Sequence, residues 1–180
     1  WLLDPVQSLV VLVDVQEKII PAIANHESIV QECRVLLQAA RLLSVPVLVT
    51  EQYPKGLGPT MPVLRNEIPD AGCVEKTTFS CCESTVFMAA LQDQRRRQLV
   101  LAGIEAHVCM MQTALDLLAS GYQVHVPVGA TGSRMERNKE IALQRLHAAG
   151  GILTTTESVL FEWLANAKHP AFRTVQKLIL

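Results

Sequence analysis

Charge is scarce in this chain of 180 residues: 18% are Asp, Glu, Lys or Arg, against 49% hydrophobic. That balance excludes intrinsic disorder and provides enough apolar surface for a sizeable core. Neither sign is in excess. Sixteen Lys+Arg against 17 Asp+Glu leave a formal net charge of -1, so no global field draws the protein to nucleic acid or anionic lipid, and neither is expected as a partner. Apolar runs fall short of the ~20 residues that span a bilayer, and Asp4 stands where a secretory signal carries basic residues. Cys-x-x-Cys pairs are missing too. The five cysteines (Cys33, Cys73, Cys81, Cys82 and Cys109) are irregularly spaced, which removes the usual zinc and dithiol signatures and fits a reducing compartment. A cytoplasmic location is expected, with a removed organellar targeting segment left open because the sequence starts at Trp1. Gly56 and Gly58 lack any nucleotide-loop context. There is no internal repeat and no low-complexity stretch.

What is present is alternation. The length is about 1.2 times a ~150-residue domain, so a single domain over residues 1–180 is expected. The run SLVVLV from Ser8 to Val13 suits a strand buried on both faces. Between Glu27 and Leu43, Ile29, Cys33, Leu36, Leu37 and Ala40 recur at helical spacing, and Pro46 forbids continuation. Further strands are expected at Val47–Val49, Gly72–Val74, Gln98–Ala102, Gln123–Val126 and Ile152–Thr154. Helices are expected over 83–92, 109–119, 136–149, 157–165 and 172–178, with Gly121 as a left-handed cap. Six strands alternating with helices predict a three-layer α/β/α sandwich around a mostly parallel six-stranded sheet. In such sheets ligands lie beyond the carboxyl ends of the strands, which singles out Asp14, Glu51, Lys76 and Cys109.

Each of these has an ordinary reading. Asp14 suits a helix cap, Lys76 a solvated surface, and Cys109 a small buried hydrophobe. Their coincidence at three strand ends of one sheet is what points to chemistry: a thiol, a carboxylate and an ammonium make a nucleophile, a proton acceptor and an electrostatic clamp. With Cys109 placed at the start of a helix, the partial positive charge there is expected to lower the thiol pKa.

At the level of motifs the chain resembles the isochorismatase-like cysteine hydrolases. The resemblance rests on D-x-Q at Asp14 to Gln16, K-x-x-F-S at Lys76 to Ser80, and G-I-x-x-x-x-C at Gly103 to Cys109, in that order. The segments TEQYPKGLGPT, GIEAHVC and TTES…HPAFR…QKL look most similar to the isochorismatase domain-containing subgroup. The resemblance implies the isochorismatase-like, Rossmann-like fold and a catalytic triad of Asp14, Lys76 and Cys109. It also implies an oxyanion hole from the backbone N–H groups of Glu105 and Cys109, with a cis peptide between Ile104 and Glu105. The implied reaction is cleavage of a C–N bond in a small amide through a Cys109 thioester, in an assembly of two or more copies. Metal-bearing members carry Asp-x-His after the second strand, where this chain reads Glu51-Gln52-Tyr53, so neither metal nor cofactor is expected.

Gln16, Tyr53, Phe79 and His107 are further candidates for the substrate pocket because of their loop positions. Arg95-Arg96-Arg97 reads as a solvated loop, and Cys81 and Cys82 as packing residues. Two other classes remain open: a silent scaffold whose interface is built from Phe161, Trp163, Leu164 and Phe172, and a thiol redox sensor at Cys109.

Overall fold

A computed structural model describes all 180 residues. Its strands are β1 (Ser8–Val13), β2 (Val47–Gln52), β3 (Gly72–Lys76), β4 (Gln98–Ile104), β5 (Gln123–Pro127), β6 (Thr131–Gly132) and β7 (Ile152–Thr154). The longer helices are α1 (His26–Leu42), α4 (Thr85–Gln94), α5 (Met111–Ala119), α6 (Glu136–Ala148) and α7 (Thr156–Leu164). Three short ones, α2 (Pro54–Leu57), α3 (Pro62–Arg65) and α8 (Phe172–Gln176), complete the set. No helix is long and apolar enough to cross a membrane.

The sheet is parallel throughout, in the order β3-β2-β1-β4-β5-β7. Six strands were expected; a seventh, the two-residue β6, pairs with the end of β4 and is too short for any periodicity to reveal. β1 lies in the middle, so all six of its residues are buried. Alternation divides them between the faces. Val10 and Leu12 pack with residues of α1, α7 and α8, whereas Leu9, Val11 and Val13 pack with residues of α4, α5 and α6. The sandwich therefore has two cores, one on each side of a single sheet.

Local chemistry moves two helix starts from their expected places. Cys81–Glu83 forms a 3-10 turn, and the Ser84 hydroxyl accepts from Phe87 N, so α4 begins two residues later than expected. Before α5, Ala106–Met110 forms a π turn in which Met110 N donates to Glu105 O at 3.2 Å. Cys109 thus occupies this widened turn rather than the first turn of an α-helix.

The apolar C-terminal quartet is also divided. Trp163 and Leu164 are 1% exposed and belong to the core, with the Trp163 indole N–H donating to Ser8 Oγ at 3.0 Å. Phe161 and Phe172 lie nearer the surface, with ring centroids 6.2 Å apart. An interface built from all four is therefore ruled out.

Strand order sets the position of the site. The chain runs outward from β1 through β2 to β3, then returns so that β4 joins the other edge of β1. This reversal opens a crevice at the carboxyl ends of β1 and β4. Val13 pairs with Thr50 on one side and Gly103 on the other. Gly103 has φ +129°, and a Cβ there would lie 2.1 Å from Val13 O. Only glycine lets β4 come this close to β1, and this approach brings Ile104 and Glu105 level with Asp14.

Candidate active site

Asp14 is the first residue beyond β1 and adopts a left-handed conformation, φ 53°. Its backbone N donates to Thr50 O at 3.1 Å, and the turn directs its carboxylate inward, where it is buried. Oδ2 accepts from Lys76 Nζ at 2.7 Å, with side-chain exposures of 5% and 1%. Oδ1 accepts from Thr50 Oγ1 at 2.7 Å. Lys76 closes β3 and is fully engaged: besides Asp14, its Nζ donates to Gln52 Oε1 at 2.7 Å and to the carbonyls of Thr78 and Phe79 at 3.2 and 3.3 Å. Burial, the largest single effect, pulls its pKa down, but the surrounding groups, led by the Asp14 carboxylate and joined by Cys81 and Cys109, together outweigh it and the net shift is upward.

Cys109 is buried with its thiol against the Asp14 carboxylate. The expected lowering of its pKa is reversed. Burial, then the Asp14 charge, push the thiol up to about 12, against a smaller opposing pull from Lys76. The physical reason is location: in a π turn inside the core, desolvation and a facing anion dominate over any helix-end field. The raised pKa makes the resting group a thiol beside a carboxylate, not a thiolate.

The segment between β4 and α5 is strapped from one side. The Ile104–Glu105 peptide is cis. The Glu105 carboxylate accepts from Arg134 N at 3.0 Å and from Arg134 Nε at 3.1 Å. His107 Nδ1 lies 3.0 Å from Ser133 Oγ and its Nε2 lies 3.4 Å from Asn138 Nδ2. His107 therefore ties the cysteine turn to the segment leading into α6.

The remaining candidates are spread out. Gln16 is fully buried; its amide nitrogen donates to Gln52 O and Gly58 O and its oxygen accepts from Gln52 N. It is a clamp for the loop after β2. Tyr53 is 55% exposed and lines a cavity of about 520 Å³ together with Lys76, Thr78 and Ser84. Phe79, equally exposed, lines a neighbouring cavity of about 460 Å³ with Gln112 and Asp116. Neither cavity has Asp14 or Cys109 in its wall. Glu51 is engaged with the N and Oγ1 of Thr60, both at 2.7 Å. The Arg95–Arg97 run lies before β4, at the opposite end of the sheet.

Sequence reasoning did not assign a role to Thr50 or Gln52, although both hold the ion pair, or to Ser80, whose hydroxyl donates to Asp116 of α5 at 2.6 Å. A threonine inside an apolar strand reads as an ordinary β-branched residue. The one signal in the sequence is that VLVTEQ turns polar just where its neighbour strand ends in Asp14.

The profile of the isochorismatase domain family matches residues 8–158. Isochorismatase domain-containing protein 2 of Xenopus laevis is 44% identical over 173 residues, spanning 96% of this chain and 83% of that protein. A structure described as MAR1 ribonuclease from Caenorhabditis elegans is 40% identical with a TM-score of 0.95, covering 99% of this chain and 92% of that one. The YcaC gene product of Escherichia coli, described as an octameric hydrolase of unknown specificity, superposes with a TM-score of 0.90 at 24% identity, over 98% of this chain and 95% of that one.

Proposed function

The chain belongs to the isochorismatase family, and on that premise we propose that it is a cysteine hydrolase cleaving the C–N bond of a small amide. The observation that carries this reading is the buried Asp14–Lys76 pair with the Cys109 thiol against its carboxylate. As Cys109 Sγ attacks the carbonyl carbon, its proton passes to Asp14, which then delivers it to the departing nitrogen. The resulting thioester is hydrolysed by a water that gives its proton to Asp14, and the thiol is restored as the acid leaves. Lys76 keeps the carboxylate in place while its charge changes. The Glu105 backbone N–H, which has no partner in the chain, is suited to the oxyanion, joined by that of Cys109. Residues of the loops carrying Tyr53, Phe79 and His107 are the proposed surroundings of the substrate.

Screening small amides with detection of a covalent acyl-enzyme by intact mass tests the proposal. The adduct is expected on the Cys109 peptide, and Cys109→Ala should abolish both adduct and turnover; a Cys109→Ala variant that still hydrolyses the same amide overturns it. Although several solved relatives are described as MAR1 ribonucleases, we propose no nucleic acid partner, since a net charge of -1 supplies no field for a phosphate backbone. A homo-oligomer, by contrast, is proposed, consistent with exposed Tyr53, Phe79 and Met135.

A further inference from the structure

The structure assigns Thr50 the part of a positioning residue for Asp14, an inference that rests on the cysteine hydrolase reading and extends it. Thr50 holds Asp14 twice. Its carbonyl accepts from Asp14 N at 3.1 Å and its hydroxyl donates to Asp14 Oδ1 at 2.7 Å. The first bond sets where the left-handed turn begins; the second sets the rotation of the carboxylate. With Lys76 Nζ on Oδ2, each carboxylate oxygen has one fixed donor, so the lone pairs left over face a defined direction.

The partners of the hydroxyl are consistent with donation to Asp14, since an ionised carboxylate can only accept. Thr50 is fully buried, and by strand alternation its side chain shares the face of Leu48, the face on which Cys81 and Cys109 pack. Cys81 Sγ lies 3.8 Å from Thr50 Oγ1 and donates to it. With a donor already on the oxygen, the single O–H of Thr50 is left for Asp14. A role in packing alone does not account for this arrangement, because valine has the same shape and would suit a buried strand better. The hydroxyl stabilises the ionised carboxylate, the form that must be present before the Cys109 proton can move.

The test measures iodoacetamide alkylation of Cys109, resolved by peptide mapping, from pH 5 to 9 in wild type, Thr50→Val, Thr50→Ser and Asp14→Asn. Alkylation needs no substrate. With the pH far below the pKa of the thiol, unassisted alkylation rises about tenfold per pH unit; Asp14 taking the proton should make the wild-type slope shallower, and Asp14→Asn should return it to about tenfold. Thr50→Val should steepen the slope toward that of Asp14→Asn, slowing the reaction about tenfold at the acid end of the range, and Thr50→Ser should restore the shallow slope. If Thr50→Val is unchanged, or is slowed evenly at every pH, while Asp14→Asn still steepens the slope, the Thr50 inference fails and the hydrolase reading stands. If Asp14→Asn leaves the profile untouched, both fail. Because Thr50→Ser removes only a methyl group, a Thr50→Ser profile matching a steepened Thr50→Val profile also overturns the inference, even if the valine variant is less stable.

Discussion

His125 shows how a single side chain ties stability to pH. It is buried on β5, its Nε2 has no hydrogen-bond partner, and burial lowers its pKa against the opposing pull of Glu162. The folded protein therefore keeps this ring neutral, while the unfolded chain takes up a proton near pH 6.5. The stability it permits is complete above about pH 6.5 and declines as pH falls below that, by at most ~1.4 kcal/mol per unit. His125→Leu should flatten the urea midpoint between pH 6.5 and 5; an unchanged slope would place the titration elsewhere. Glu67 adds its own loss at lower pH, because Arg34, Gln38 and Arg41 outweigh its burial and hold its pKa down. Which residues were legible in the sequence follows from where they stand. Asp14, Lys76 and Cys109 interrupt apolar or strand-end patterns in a way that polarity alone reveals. Thr50 interrupts nothing, and the rise in the Cys109 pKa comes from neighbours contributed by β1 and by burial, which no local spacing encodes.

Among the elements, the approach of β4 to β1 is the most tightly specified. Gly103→Ala would drive a Cβ into the Val13 carbonyl, whereas Gly121, with φ +82° and nothing within 4 Å of an added Cβ, bears backbone strain alone. Gly121→Ala is expected to cost about 1 kcal/mol, and Gly103→Ala several times that or the loss of soluble protein, since the obstacle is backbone and cannot turn aside. Circular dichroism melting of the two variants makes the comparison; equal losses would mean that β4 can shift without penalty. Strands were read well because β-branched runs between turn signals leave little ambiguity. Helix starts were read less well, since a 3-10 turn at Cys81–Glu83 and a π turn at Ala106–Met110 keep an apolar pattern while changing its winding.

For the whole molecule, layering and strand alternation were legible, because one buried strand and repeated crossovers admit few arrangements. Pocket shape was not: the cavities at Tyr53 and at Phe79 both exclude Asp14 and Cys109 from their walls, and loop packing decides that. Multi-angle light scattering is expected to give a mass of two or more copies of the 19.8 kDa chain; a value at one copy refutes the proposed assembly.

The central place of β1 governs the order in which this protein can mature during synthesis. By the time a ribosome has emitted residues up to Arg97, β1 has its partner on one edge only, and the opposite edge of a strand that ends wholly buried waits for β4. Asp14 has met Lys76 but not the cysteine turn. A nascent chain halted there is a half-sheet with an open, sticky margin, and chaperones that shield bare strand edges would have their longest engagement with this protein in that interval.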